Sequence, residues 1–298
     1  MSGIGGTPWW SAVVDAAAAL CDVRAAHRKV LSDGRRATIA LIEAEVVVRA
    51  RAADADPGGL IHELEFAQLS ADHAIPVIEP AHPELIWTAD GAAASVWPLL
   101  DTDGADTADW RWLGEVAAAV EQLPAASLAF RSDPVGRIIE NLSVYEHWPA
   151  ASPVALDLAR TRLDEMRRLL EGIVTTAVVV HGDLHPRNVV VSRGGPILID
   201  FDLAGVGLPN WDASIAALFL THFGLRTTDF RQFIRGLGRD PRDDPTFSIL
   251  TAVQELLCIS YVMRRVAESA PAHEELARRI RRLEGRADTS RWHAIDPA

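Results

Sequence analysis

The segment from Val178 to Asp212 constrains the fold of this chain more than any other, because short apolar runs alternate in it with polar loops. Its runs have the length and the β-branched composition of buried strands. A polar loop, His181 to Asn188, follows the first run, and a hairpin through Ser192 to Gly195 joins the other two. The three predicted strands are Val178 to Val180, Val189 to Val191 and Ile197 to Ile199.

Three oxygen-bearing side chains stand where these runs begin or end, namely Asp183, Asn188 and Asp200. We expect the runs to be adjacent strands, which would bring the three side chains together among apolar residues. Carboxylate and amide oxygens suit a hard cation such as Mg²⁺. An aspartate, an asparagine five residues later and a further aspartate after a hairpin also have the spacing of a kinase catalytic loop and its metal-binding segment. The segment therefore predicts phosphoryl transfer, in which a protein mainly positions groups and neutralises charge.

The first hundred residues predict a small sheet with one long helix inserted. Helical spacing extends through an Ala-rich stretch from Trp10 to Val30, and again through the inserted helix from Leu60 to Ala71. The predicted strands around that helix are Thr38 to Ile42, Glu45 to Arg51, Ile75 to Ile78, Leu85 to Thr88 and Ala93 to Leu100.

The remainder of the chain is mostly helical. An acidic, turn-rich stretch, Asp101 to Asp109, predicts a boundary between two domains, residues 1–100 and 101–298. The length of 298 residues agrees with two lobes. The predicted helices are Trp112 to Leu123, Val154 to Ile173, Trp211 to Phe223, Phe230 to Leu237, Phe247 to Ala267 and His273 to Leu283.

Composition and charge exclude several classes of partner. The formal net charge of −12 argues against nonspecific binding to nucleic acid or to an anionic membrane surface. No apolar run approaches the roughly 20 residues of a membrane helix, and residues 1–10 predict no signal peptide. The two cysteines, Cys21 and Cys258, form neither a disulfide framework nor a metal-type cluster. We therefore expect a cytoplasmic protein.

The same segment resembles the aminoglycoside phosphotransferase family, which includes choline, homoserine and macrolide kinases. The loop from His181 to Asn188 reads HGDLHPRN and is similar to the family's His-Gly-Asp-Leu-His-Pro-x-Asn. Ile199-Asp200-Phe201 resembles the family's metal-binding segment, and Asp212 after a Gly/Pro-containing turn resembles its downstream aspartate. The match covers 35 residues, and the order of strands and helices extends it over most of the chain.

The resemblance implies an α+β, bilobal protein-kinase-like fold. Its small N-terminal sheet lobe would bind the nucleotide, and its larger helical lobe would carry catalysis and the acceptor site. The implied enzyme moves the γ-phosphate of ATP or GTP to a hydroxyl of a small molecule, such as an aminoglycoside, with Mg²⁺. The resemblance implies Asp183 as the catalytic base and Asn188 and Asp200 as metal ligands. His181 and Asp212 would brace the loop, and a hydrogen-bonded structural role is favoured for His185.

The small lobe departs from the protein-kinase pattern at its phosphate-binding cation. Protein kinases hold the phosphates with a lysine on the third strand and orient it with a helical glutamate. Here Arg49 occupies that place, while the only lysine, Lys29, precedes the first turn. Arginine can bind phosphate with two nitrogens. Glu63 is the expected partner, since Glu65 should turn to another helix face. The other interpretation is that Arg49 and Glu63 are ordinary surface charges.

Nucleotide binding in this lobe has further candidates. No G-x-G-x-x-G is present, and only Gly34 gives the first turn backbone freedom. Backbone N–H groups with Arg35 or Arg36 are the expected substitute. The adenine edge should meet the backbone around Leu99. Asp202, where protein kinases have glycine, either contacts the metal or hydrogen-bonds a turn.

Other functions remain open from the sequence. His181-x-Asp183 also begins a two-histidine, one-carboxylate iron triad, although that site needs a barrel of strands. A pseudokinase that binds nucleotide or a drug without turnover is the main alternative, favoured by the poor glycine loop. The acceptor pocket has candidate acidic residues and candidate aromatic walls, of which the acids would suit a polycation. These candidates are Glu140, Asp157, Asp243, Glu255, Trp148 and Trp211.

Overall fold

The computed structural model describes residues 7–22, 27–32, 36–55, 57–100, 109–266, 270–285 and 291–295. Within them the helices, in chain order, are α1 (Ser11–Leu20), α2 (Gly58–Asp72), α3 (Trp110–Glu121), α4 (Pro134–Glu146), α5 (Pro153–Glu171), α6 (Trp211–His222), α7 (Thr227–Leu237), α8 (Phe247–Arg265) and α9 (Ala270–Leu283). The strands are β1 (Arg28–Ser32), β2 (Arg36–Leu41), β3 (Val46–Arg51), β4 (His82–Trp87), β5 (Ala93–Pro98), β6 (Val178–Val180), β7 (Val189–Ser192), β8 (Gly195–Leu198) and β9 (Gly205–Gly207).

The chain divides into two compact units. The first unit comprises Met1–Ala108, Ala126–Phe130 and Arg187–Ala204, and the second comprises Asp109–Ala125, Arg131–Pro186 and Gly205–Ala298. Residues 187–204 thus pack with the N-terminal residues, although the sequence assigned them to the second domain. The division into functional lobes at residue 100 remains a prediction, and most of its boundary, residues 101–108, lies outside the described residues.

The first unit is built on an antiparallel sheet of five strands in the order β1-β2-β3-β5-β4. Successive side chains of a strand point to opposite faces. On β3, Val46, Val48 and Ala50 pack with α1 in the core of one face. Arg49 and Arg51 alternate with them and pair with Glu63 of α2. One face of β3 therefore stabilises the fold, and the other presents charge.

Two sequence predictions for this unit are wrong. The helix predicted from Trp10 to Val30 ends at Leu20, because it buries Val13, Val14 and neighbouring alanines only up to Ala18. Residues 28–32 instead pair with β2 as an edge strand. The Ala-rich composition therefore did not reveal the change from helix to strand. The segment from Ile75 to Ile78 forms one isolated bridge, Val77 to Leu198, and not a ladder strand.

The three runs of the central segment are not neighbouring strands of one sheet, contrary to the expectation. β6 pairs with β9 inside the second unit, whereas β7 pairs with β8 inside the first. The chain supplies a further strand after Asp200, β9, whose short sequence Gly205-Val206-Gly207 carries no recognisable strand pattern.

The second unit is a helical bundle around α8. Helix α8 contacts α4, α5, α6 and α9, and its apolar residues Leu250, Val253 and Ile259 are buried. This helix is long and apolar enough to cross a membrane, which the sequence analysis did not anticipate. Half of its apolar stretch is buried in the bundle, as in a core helix. Helix α4 was also missed, although Asp133 caps it and Pro134 begins it.

Candidate active site

The loop after β6 is fixed from below by a buried carboxylate. Asp212, in the first turn of α6, accepts hydrogen bonds from the backbone N–H groups of His181 at 2.8 Å and Gly182 at 2.9 Å. Gly182 has φ of 87°, a left-handed conformation that costs glycine little. Trp211 donates from Nε1 to the Gly182 carbonyl at 3.2 Å. The backbone that leads into Asp183 is therefore held at three points.

The environment of Asp212 opposes its ionisation. Burial raises the pKa of Asp212 to about 7, and the nearby acids Glu121 and Asp183 act in the same direction. The two backbone donors favour the carboxylate and limit the rise. Asp212 consequently titrates near neutral pH.

Asp183 is presented at the end of this braced loop. Its side chain is 42% exposed, and its Oδ2 lies 3.5 Å from His185 Nε2. The backbone N–H of Asp183 also points to His181 Nδ1 at 3.3 Å. His185 in turn lies beside Phe219 of α6, with ring centroids 5.6 Å apart. Asp183 is thus accessible, and one of its oxygens faces a ring that packs against α6.

In the first unit, an ion pair joins β3 to α2. Arg49 Nη1 lies 2.7 Å from Glu63 Oε2, and the Glu63 side chain is fully buried. Glu65 is exposed on another face of the helix. The arginine and the glutamate selected from the sequence are therefore in direct contact, and Glu63 does not act as an ordinary surface charge.

The second nitrogen of Arg49 faces the segment that contains Asp200. Arg49 Nη2 lies 3.0 Å from Asp202 Oδ1 and 3.5 Å from Asp200 Oδ1. Asp202 also accepts a hydrogen bond of 3.1 Å from Arg36 Nη1. The structure thereby gives Asp202 a partner set that the sequence did not predict.

The charged side chains of this cluster shift one another's pKa values. Burial acts to lower the pKa of Arg49, but Glu63, Asp202 and Asp200 together raise it, so the guanidinium stays charged. Burial raises the pKa of Glu63 well above its usual range, and a hydrogen bond with Asp202 adds to the rise. Burial opposes ionisation of Asp202 as well, but that hydrogen bond and the arginines hold its pKa below its usual range.

Asp200 and Asn188 have donor atoms suited to Mg²⁺. Asp200 has φ of 64°, an uncommon conformation for a residue other than glycine, and its side chain is 47% exposed. Asn188 is buried, and its backbone carbonyl accepts a hydrogen bond from the Ile199 N–H at 2.9 Å. Among the described residues, no group of three or more His, Cys, Asp or Glu is arranged as a complete metal site. A carboxylate and an amide oxygen would hold Mg²⁺ only together with phosphate oxygens and water.

Three further residues belong to the predicted nucleotide site or flank it, namely Phe201, Leu99 and Gly34. Phe201 is buried against Phe66 and Trp97, which anchors the segment after Asp200 in the first unit. Leu99 donates its N–H to the Glu45 carbonyl at 2.7 Å, so a contact from Leu99 to adenine would use its carbonyl. Gly34 lies outside the described residues.

The acidic candidates for the acceptor pocket have other partners or face solvent. Glu140 pairs with Arg264, and Glu255 pairs with His222 and Arg282. Asp157 and Asp243 are exposed. The sequence analysis did not identify a cleft of about 550 Å³ in the second unit, lined by residues from α3, α6 and the start of α7.

Comparison with known proteins places these features in context. The family model described as the phosphotransferase enzyme family matches residues 27–250. A search of curated proteins gave no match.

Solved structures resemble the chain over most of its length. The amicoumacin kinase hAmiN, in complex with AMP-PNP, Ca²⁺ and Ami, has a TM-score of 0.67 at 15% identity, with 89% of this chain and 90% of that chain covered. A GDP and kanamycin complex of APH(2")-IIia has a TM-score of 0.62 at 17% identity, covering 93% and 97%. A microcompartment-associated aminopropanol kinase has a TM-score of 0.63 at 18% identity, covering 92% and 95%. These similarities confirm the predicted bilobal, kinase-like α+β fold.

Proposed function

Because the chain belongs to the phosphotransferase enzyme family, we propose that it transfers the γ-phosphate of ATP or GTP to a hydroxyl group of a small molecule. The observation that carries the proposal is the position of Arg49. Its Nη1 contacts the buried Glu63, and its Nη2 lies 3.5 Å from Asp200. A fixed cation beside a potential metal ligand is what binding of a polyphosphate requires.

We assign the first unit's residues to the nucleotide. Arg49 contacts the phosphates, Glu63 orients Arg49, and Asn188 and Asp200 hold Mg²⁺, which neutralises charge on the phosphates when bound. Leu99 accepts a hydrogen bond from the base through its carbonyl, and the sequence prediction of Gly34 at the phosphates is kept. Two of the similar structures contain AMP-PNP or GDP, in agreement with a nucleoside triphosphate as donor.

Asp183 is assigned to the acceptor. Its carboxylate accepts a hydrogen bond from the acceptor hydroxyl and receives the proton as the oxygen–phosphorus bond forms. The bond from the γ-phosphorus to the bridging oxygen breaks, and the nucleoside diphosphate leaves. The support for this assignment is the partial exposure of Asp183 and the fixing of its loop by Asp212.

The net charge and the family indicate the expected partner and location of the protein. The net charge of −12 gives no attraction to nucleic acid or to an anionic membrane, so the expected partner is a small hydroxylated molecule. The expected location is the cytoplasm, where nucleoside triphosphates are supplied. If the acceptor is an antibiotic, as in several similar structures, the activity would confer resistance.

The test is release of ADP or GDP, measured with and without Mg²⁺ across a panel of hydroxylated antibiotics and metabolites. We expect release that depends on both Mg²⁺ and one acceptor class. Binding of nucleotide without release for any acceptor would instead indicate the pseudokinase.

A further inference from the structure

The cleft in the second unit is linked to the candidate base through residues that contact it or follow it in the chain. Pro186, three residues after Asp183, forms part of its wall. Phe219 forms another part and lies beside His185, whose Nε2 is 3.5 Å from Asp183 Oδ2. The volume of about 550 Å³ falls within the range of small-molecule sites.

The walls of the cleft are largely aromatic. Trp110 and Phe219 lie 5.6 Å apart between ring centroids, and Phe219 and Phe223 lie 4.9 Å apart. All three side chains are only partly buried, so their rings are accessible from the cleft. Accessible aromatic walls favour a ligand with a flat, apolar body.

The charges at the cleft do not suit a polycation. Asp229 is the one carboxylate among the described residues that line it, and that carboxylate is bound by Arg226 through contacts of 2.7 Å and 2.9 Å. Arg291 also lines the cleft, is exposed, and forms no ion pair with any described residue. The described residues that line the cleft therefore carry one positive charge in excess.

Arg291 is held in place by its neighbours. Trp292 is buried, stacks on His222 with centroids 3.8 Å apart, and donates its N–H to the His222 carbonyl at 2.8 Å. The Arg291 side chain lies against Gly224, where an added Cβ would come within 2.6 Å of Arg291 Nε. Packing against Gly224 and the anchored neighbour Trp292 restrict Arg291, which reduces the freedom it loses when it binds an anion.

We propose that this cleft binds the acceptor, and that the acceptor has a flat apolar body, an anionic group that pairs with Arg291, and the hydroxyl that is phosphorylated. The inference rests on the proposed function for the fate of the hydroxyl, but the charge preference of the cleft does not depend on turnover. It disagrees with the sequence expectation of acidic walls and an aminoglycoside.

The experiment compares three probes that share a hydroxymethylphenyl body and carry a negative, a neutral or a positive second group: 4-(hydroxymethyl)benzoate, 4-(hydroxymethyl)benzamide and 4-(hydroxymethyl)benzylamine. Binding to the full chain is measured by ligand-observed NMR, and release of nucleoside diphosphate is measured separately. We expect the benzoate to bind about tenfold more tightly than the benzylamine, since a charge-assisted contact to a fixed guanidinium is among the stronger hydrogen bonds. Arg291→Ala should remove this preference, and Arg291→Lys should keep part of it. Arg231→Ala, an exposed arginine of α7 away from the cleft, is the matched control and should leave the preference intact.

The two proposals fail in different ways. Tighter binding of the benzylamine, equal or absent binding of all three probes, or no effect of Arg291→Ala would overturn the inference, even if an aminoglycoside supports turnover. A benzoate preference that depends on Arg291, without release of nucleoside diphosphate for any acceptor, would support the binding site and overturn the kinase.

Discussion

Asp202 Oδ1 lies 3.0 Å from Arg49 Nη2, while the buried Glu63 contacts Nη1 of the same guanidinium. The same carboxylate accepts a hydrogen bond from Arg36. Asp202 therefore contacts two described arginines of the first unit that are candidates to receive phosphate. A carboxylate in this position competes with a polyphosphate for the same nitrogens.

Asp202→Asn should consequently strengthen nucleotide binding. We expect the Kd for Mg²⁺-nucleotide to fall about threefold to tenfold, because removing a like charge near the phosphates is worth on the order of 1 kcal/mol. Calorimetric titration with a non-hydrolysable analogue measures the effect. Asp157→Asn, an exposed aspartate of α5, is the control and should leave the Kd unchanged. Weaker binding of the Asp202 variant would show that Asp202 supports the phosphate or metal site directly.

Arg49 engages acids with both of its terminal nitrogens, so its replacement by lysine is not neutral. A lysine has one ammonium group and cannot reproduce contacts to Glu63 and the Asp200 segment in the same geometry. Arg49→Lys should retain part of the activity, whereas Arg49→Ala should raise the nucleotide KM and lower kcat. Steady-state kinetics at saturating acceptor measures both constants. Unchanged kinetics in Arg49→Ala would contradict its assignment, and Lys29→Ala would then be the variant to measure.

Much of this site could be predicted from the sequence. The contact of Arg49 with Glu63 follows from their places on a buried strand and on the helix beside it. The contacts of Asp202 could not be predicted, since the sequence shows neither the left-handed backbone at Asp200 nor the positions of Arg36 and Arg49 beside Asp202. The partners of the acidic acceptor candidates could not be predicted either, because a sequence shows a charge but not its partner, as for Glu140 with Arg264.

The fold likewise contains elements that the sequence predicted and elements that it did not. Helices with clear periodicity, such as α5 and α8, were predicted close to their observed positions. The strand β9 was not, because Gly205-Val206-Gly207 pairs with β6 through backbone hydrogen bonds that any sequence can make. The Ala-rich region before residue 30 has helical spacing up to Val30, but the helix ends at Leu20, shortly after its last buried residue.

Asp212 predicts a pH-dependent contribution to stability. Its pKa of about 7 in the folded protein lies above its ordinary value of 3.8, so the folded state retains a proton that the unfolded state releases. The stabilisation is fully present below pH 3.8 and is lost as the pH rises through 7. Relative to Asp212→Asn, the wild-type free energy of unfolding should fall by up to about 1.4 kcal/mol per pH unit within this window. Urea denaturation at several pH values measures the difference, and parallel curves for the two proteins would contradict the raised pKa.

The central claim is that Asp183 acts on the acceptor and Asp200 on the nucleotide and its metal. A base that orients the acceptor hydroxyl contributes to transfer and not to nucleotide affinity. Asp183→Ala should lower kcat about 10²–10⁴-fold, with nucleotide affinity within a few-fold of the wild type. Asp200→Ala should lose both activity and Mg²⁺-dependent affinity, because a carboxylate brings a full charge to the cation.

One paired measurement decides between these roles: the Kd for Mg²⁺-nucleotide and the kcat of Asp183→Ala and Asp200→Ala, with Asp243→Ala, an exposed aspartate, as control. The account predicts wild-type values for the control, loss of kcat alone for Asp183→Ala, and loss of both for Asp200→Ala. A folded Asp183→Ala that no longer binds nucleotide would make Asp183 a metal ligand. Full turnover by Asp183→Ala would contradict the kinase mechanism itself.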